Sequence, residues 1–343
     1  MRAVVFESFA GPLVLRDVPE PVPPPGGVLV LVGASGVCRS DWHGWQGHDP
    51  GIAVPHVPGH ELAGTVVAVG TGVAGWRVGD RVTTPFACGC GACAQCAAGD
   101  HQVCTAQTQP GFTHWGSFAE LVAIEAADVN LVGLPDELAF TTAATLGCRY
   151  GTAFRAVVHQ GRVRAGEWVA VHGCGGVGLS AVQVAAAAGA RVVAVDVAPG
   201  ALDLAVRVGA AAAVDATLTD PALAVLELTG GGAALSLDAL GSAATCVGSV
   251  SCLRPRGRHV QVGLLPPALG RPEVPMDRVV ALELELLGSH GIAAHDYPEL
   301  LALVATGRLR PQELVTRLLP LEEAPEALDA IGGTPGISVI STF

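Results

Sequence analysis

The stretch WVAVHGCGGVGLSAVQVAAA, residues 168–187, narrows the possible folds of this chain more than any other. A short apolar run enters a glycine-dense turn, and a helical pattern of small residues follows at once. Gly173, Gly175 and Gly178 keep the G-x-G-x-x-G spacing. In a strand–turn–helix unit the first glycine permits the turn and the second lets a pyrophosphate approach the backbone. The third allows close helix–strand packing. With 45 glycines in the chain, the spacing alone would mean little. The flanking strand and helix give it weight, as does Asp196, which ends the next strand 18 residues past Gly178. A carboxylate there accepts hydrogen bonds from ribose hydroxyls and repels an added phosphate, and DVAPGALD offers no compensating cation. NAD is therefore expected over NADP, with Gly173, Gly175, Gly176, Val177, Gly178 and Asp196 at the cofactor.

The same rhythm continues through RVVAVD, AAAVDA, LSLDAL and HVQVGL, with helical stretches between, including 179–188 and 201–208. Strand and helix alternating in this way predict a doubly wound parallel sheet. Before Gly147 the chain reads differently. AVVFESF, GVLVLVGASGVC, ELAGTVVAVG, WRVGDRVTT and SFAELVAI are short β-rich runs separated by glycine and proline, as in a barrel or sandwich. After Ser289 come two helical segments, YPELLALVATGRL and LEEAPEALDAI, and a last strand, ISVIST. Two domains follow from this: 1–149 with 289–343, and 150–288.

Arginine supplies all 19 cations against 31 carboxylates, a net charge of −12. A surface this acidic argues against nucleic acid or anionic membrane as a partner. The lack of lysine excludes Schiff-base chemistry and a P-loop lysine. The longest charge-free run, 168–190, spans 23 residues, but its glycine turn suits a fold core better than a lipid-facing helix. No apolar segment precedes Glu7, so a cytoplasmic setting is expected, where clustered cysteines bind metal instead of forming disulfides.

Such a cluster is present. Cys90, Cys93, Cys96 and Cys104 lie in the loop 88–104 and can surround one Zn²⁺ tetrahedrally with no open position, a structural site. Reactive or disulfide-bonded thiols are the alternative, and Cys88 is out of register. A second set is scattered: Cys38 in GVCRSDWH, His60 and Glu61 in VPGHELAG, and Cys148 in TLGCRYG. A catalytic zinc takes three protein ligands and leaves one position open. Cys38, His60 and Cys148 satisfy that count, with Glu61 as an alternate ligand.

Together these segments resemble the zinc-dependent medium-chain alcohol dehydrogenase family over nearly the whole chain. The spacing Gly59-His60-Glu61, Gly64, Gly70 and Val73 resembles its zinc signature, and WRVGDRV its GroES-like barrel. The resemblance implies a GroES-like catalytic domain plus a Rossmann domain, two Zn²⁺ per chain, NAD, and reversible oxidation of primary or secondary alcohols. It implies that Ser40 takes the alcohol proton and His43 passes it on, that Asp41 orients His60, and that Arg39 helps hold the pyrophosphate. An ordinary surface histidine at 43 and an ordinary turn or cap residue at 41 are the alternatives. It implies further cofactor contacts at Val262, Leu264 and Ser289. A substrate pocket follows at Trp42, Phe86, Trp115, Leu264 and His290, suited to a bulky or aromatic alcohol. The family's C-terminal GR-x-V stretch reads Gly336-Ile337-Ser338-Val339 here, a departure that loses an arginine. Chain length and the lack of an insertion after Glu120 resemble the bacterial tetrameric type, with a dimer as the alternative. Cys148 favours the simple alcohol branch over the polyol or threonine branch, which completes the site with glutamate. A zinc-free reductase would leave Cys38, His60 and Cys148 idle, and a non-catalytic NAD-binding relative is the remaining alternative.

Overall fold

The computed structural model describes residues 1–266, 270–333 and 335–343. It divides into two compact units, Met1–Gly151 with Gly291–Ala302 and Val315–Phe343, and Thr152–His290 with Leu303–Leu314. The sequence reading assigned all of 289–343 to the first unit. Leu303–Leu314 instead joins the second, where the Gln183 side chain holds Arg310 through both its backbone N–H and its carbonyl.

The first unit is built on a seven-stranded sheet ordered Val315–Pro320, Ile337–Thr342, Val28–Val37, Glu61–Val69, Arg81–Thr83 and Val132–Gly133, with Leu121–Ile124 also paired to Val28–Val37. Val28–Val37 is the hub because its apolar residues are buried along almost the whole run. One core packs Phe6, Val57, Phe118, Leu319 and Ile340, and a second packs Val30, Leu62, Val66, Val82 and Ile124. A separate two-stranded sheet pairs Arg2–Val5 with Val14–Asp17. The hub runs straight into the short helix Arg39–Trp45, and Glu61 opens the neighbouring strand. Residues 38 and 61 thus lie at one end of adjacent strands, with Gly36 paired to Glu61.

The second unit is a six-stranded parallel sheet ordered Ala212–Asp215, Arg191–Asp196, Trp168–His172, Ala233–Asp238, Leu253–Gln261 and Glu285–Gly288. In chain order this is 3-2-1-4-5-6, the doubly wound arrangement, and the order reverses between Trp168–His172 and Ala233–Asp238. Ligands of such sheets bind beyond the carboxyl ends of the strands at that reversal. The expected helix at 179–188 spans Gly176–Ala187, because it opens directly from the glycine turn. The one expected at 201–208 spans Pro199–Arg207, since a proline at its start presets the helical φ. LEEAPEALDAI divides into a single tight turn at Leu321–Glu323 and the helix Ala324–Asp329. Among the described residues no helix is long and apolar enough to cross a membrane.

Candidate metal centres and cofactor site

Cys38 is the N-cap of helix Arg39–Trp45. Asp41, buried in the first turn, accepts the Cys38 N–H at 3.0 Å on Oδ2. Its Oδ1 accepts the Gly59 N–H at 3.0 Å and pairs with His60 Nδ1 at 2.7 Å. Asp41 thus joins the helix cap to the imidazole of His60 through its two oxygens. His60 Nε2 is fully buried and, among the described residues, has no hydrogen-bond partner. The ligand atoms of Cys38, His60, Glu61 and Cys148 all lie within 4.8 Å of one another. Two thiols, an imidazole and a carboxylate are a donor set that suits zinc. A buried ring nitrogen without a hydrogen-bond partner, aimed among two thiols, fits a metal ligand. Protonation follows the crowding. The hydrogen bond from Cys148 draws the Cys38 thiol well below its usual value, while that same partner and burial push Cys148 well above. Burial alone would lower His60, yet the Asp41 charge and hydrogen bond and the Cys38 thiol raise it well above its ordinary value.

Cys148 sits in a π-helical turn, Leu146–Tyr150, where the Tyr150 N–H reaches Thr145 O at 3.2 Å. Such turns are rare and often mark functional sites. The next residue, Arg149, was not anticipated from the sequence. Its backbone N–H donates to Glu61 Oε1 at 2.8 Å and its Nε to Oε1 at 2.9 Å and Oε2 at 3.0 Å. Nη2 closes a second short bond to Oε2. Burial pushes the Glu61 carboxyl up, and the Arg149 charge pulls it back.

Phe86 and Phe112 place their rings 6.0 and 5.2 Å from that of His60. Phe112 is the second residue missed; Trp115, the expected pocket ring, stands three residues on. Its indole N–H donates to Pro55 O at 3.1 Å, and it lines a shallow groove with Met1, Pro21, His114 and Leu121–Ala123, none of them a candidate ligand. Trp115 packs against the same core cluster that holds Phe112 and takes Trp42. Ser40 and His43 share the short helix three residues apart, hence one face. His43 Nδ1 lies 2.9 Å from His48 Nδ1, and Trp42 meets both imidazoles edge-on. Burial, His48 and Arg39 together lower the His43 pKa. Arg39 is exposed, its guanidinium 5.3 Å over Trp42. Ile337 is wholly buried in the last strand, so the missing arginine is replaced by core.

The four loop thiols also converge within 4.8 Å. Cys93 and Cys104 sulfurs are 3.6 Å apart and none of the ten cysteines is bridged. Backbone N–H groups of Cys90 and Ala106 point at Cys104 Sγ, that of Ala92 at Cys90 Sγ and that of Cys96 at Cys93 Sγ. Amide donors aimed at sulfur favour thiolate, and those of Cys96 and Thr105 pull Cys93 down to about 5. Burial instead holds Cys96 up, at about 12. These thiols fit a tetrahedral metal site. Cys88 stands outside, buried against Thr84 and pushed up to about 12.

In the second unit Gly173 has φ +91°, open to glycine, and Gly175 caps helix Gly176–Ala187. A Cβ at Gly178 would lie 1.7 Å from Gly173 O, so nothing larger can pack there. Asp196 accepts the Cys174 N–H at 2.5 Å and those of Val197 and Ala198 at 2.8 and 2.9 Å. Its carboxylate is thereby fixed beside the turn. Val262 N–H bonds Asp238 O, Leu264 is exposed, and Ser289 Oγ is buried without a partner just ahead of His290.

Residues 24–136 match the alcohol dehydrogenase GroES-like domain family, and residues 176–306 match the zinc-binding dehydrogenase family. An alcohol dehydrogenase of Geobacillus stearothermophilus is 35% identical over 96% of this chain and 95% of its own length. An NAD-dependent alcohol dehydrogenase of Sulfurisphaera tokodaii is 32% identical, with 96% of each chain covered. The solved alcohol dehydrogenase of a Thermus species superposes with a TM-score of 0.92 at 34% identity over the whole of both chains. With its fold, its two thiol-bearing donor clusters and these matches, the chain belongs to the zinc-type medium-chain alcohol dehydrogenase family.

Proposed function

We propose that this protein is an NAD-dependent zinc alcohol dehydrogenase that interconverts primary or secondary alcohols with aldehydes or ketones. One observation carries the reading: Cys38, His60 and Cys148 converge within 4.8 Å while His60 Nε2 lacks any other partner. A zinc ion held there would polarise the alcohol oxygen and lower its pKa. The chain's own residues do the rest. Asp41 holds His60 by Nδ1, leaving Nε2 as the ligand atom. Ser40 takes the hydroxyl proton, and His43 passes it outward, with His48 at 2.9 Å as an exit to solvent. Phe86 and Phe112 exclude water around the ring of His60 and favour an apolar, aromatic-tolerant substrate end. Gly173–Gly178 receive the pyrophosphate and Asp196 the adenosine ribose. The second metal, at Cys90, Cys93, Cys96 and Cys104, ties down its loop, which gives two zinc ions per chain. A homo-tetramer is the proposed assembly, which light scattering checks.

The test is steady-state kinetics on a panel of aliphatic, benzylic and polyol alcohols with NAD and with NADP, beside metal analysis. Two zinc ions, preference for NAD, and loss of activity in Cys38→Ser are expected. Preference for NADP overturns the reading of Asp196, and an active Cys38→Ser overturns the metal site.

A further inference from the structure

Among the described residues Glu61 is the one fully buried carboxylate whose oxygen stands among the candidate ligand atoms, and it faces two claimants. An ion bound by Cys38, His60 and Cys148 would attract it from one side. Arg149 already holds it from the other, through its backbone N–H, Nε and Nη2, so that both carboxylate oxygens are engaged. We propose that Arg149 is a positioning residue, a latch that keeps Glu61 off the metal and so preserves an open fourth position for the substrate oxygen. The inference rests on the catalytic-metal reading above.

Three features of this chain make the latch. The π-helical turn at Leu146–Tyr150 lets two consecutive residues serve one site, Cys148 toward the ligand cluster and Arg149 toward Glu61. Gly36 leaves room for the pair, since a Cβ there would lie 2.1 Å from Glu61 Oε2 and 2.7 Å from Arg149 Nη2. The guanidinium is 6% exposed, so water does not compete for the carboxylate. Geometry and chemistry then set the outcome. A carboxylate answered by a bidentate, charge-assisted fork has little to gain by leaving it. Freed of Arg149, the buried anion has only the metal as a cation, and four protein ligands make a closed site.

The test uses the full chain loaded with Co²⁺, whose absorption reports coordination where zinc is silent. Imidazole is titrated as an exogenous fourth ligand. The cluster at Cys90, Cys93, Cys96 and Cys104 is coordinatively filled and does not respond. Wild type and Glu61→Gln should bind imidazole alike. Arg149→Met should bind it at least about tenfold more weakly, because Glu61 then fills the position most of the time. Glu61→Gln/Arg149→Met should recover wild-type binding. Should Arg149→Met fail to fold, Arg149→Lys keeps the charge without the fork, and weaker imidazole binding is again expected. Unchanged imidazole affinity in whichever Arg149 single variant folds overturns the latch, as does markedly tighter binding in Glu61→Gln. Cobalt found only in the four-cysteine loop overturns the catalytic-metal reading itself, and the latch with it.

Discussion

Asp41 is where fold and chemistry are most tightly joined, and its removal has a calculable cost. In Asp41→Ala three buried donors lose their acceptor: the backbone N–H of Cys38, that of Gly59, and His60 Nδ1. A buried donor left unmade costs about 1–3 kcal/mol, so with three of them the variant should lose about 3–9 kcal/mol of unfolding free energy. That is a large share of a typical domain's stability of about 5–15 kcal/mol. Asp41→Asn separates the two roles. The amide keeps an oxygen for Gly59 and the shape of the side chain, so most stability survives, but it gives up the charge that orients His60. Loss of such a partner typically weakens metal binding about 10- to 100-fold. Urea unfolding measures the first effect, and competition with a chelator for Zn²⁺ at the Cys38–His60–Cys148 cluster measures the second. Zinc must displace the proton that His60 holds, so affinity should also rise with pH. Asp41→Asn with wild-type zinc affinity would refute the orienting role. Asp41→Ala with wild-type stability would refute the capping role.

Two further outcomes are expected. Cys93→Ser should carry one zinc fewer per chain, and protease should cut within Gly89–Cys104 where the parent resists; unchanged zinc content would remove the four-thiol site. His172 is wholly buried at the end of its strand, and burial, aided by His259 and opposed by Asp238, lowers it to about 4. Between its unfolded value near 6.5 and that figure only the unfolded chain binds the proton. Its contribution is therefore complete above about pH 6.5 and is lost toward pH 4, at most about 3 kcal/mol. Urea unfolding of wild type and His172→Gln at pH 7.5 and pH 5 should show the smaller pH dependence in the variant, and parallel curves would contradict it.

The parts legible in the sequence are those whose chemistry leaves few substitutes. Few residue types bind zinc, so Cys38, His60 and Cys148 stand out as candidate ligands, and the four-cysteine loop declares itself by spacing. The G-x-G-x-x-G turn reads because a strand end, a φ of +91° at Gly173 and the 1.7 Å approach at Gly178 each demand glycine. Alternation of strand and helix foretells a parallel sheet, although its order follows only from packing. What stayed hidden depends on where side chains point. Arg149 and Glu61 are 88 residues apart, and nothing in either neighbourhood announces the pair. Phe112 went unremarked because nothing along the chain marks which ring near this turn comes to lie beside His60. His48 escaped notice because its link to His43 runs from a helix to the residues just beyond it.

The stretch Cys38–His48 shows why the metal ligands and the fold cannot be varied independently in such a chain. The N-cap of the helix is a candidate ligand, and the residue that completes the cap also orients the next ligand. The helix that follows carries Ser40 and His43 on one face, and its last turn leads to His48. The His48 N–H closes on His43 O at 3.0 Å, so the end of the helix already brings the two imidazoles together. The cost appears at Asp41, whose loss disturbs the cap and the imidazole together, while Asn alone begins to part them. The departures from expectation lie elsewhere: Ile337 is core where an arginine was expected, and Arg149, beside Cys148, holds Glu61.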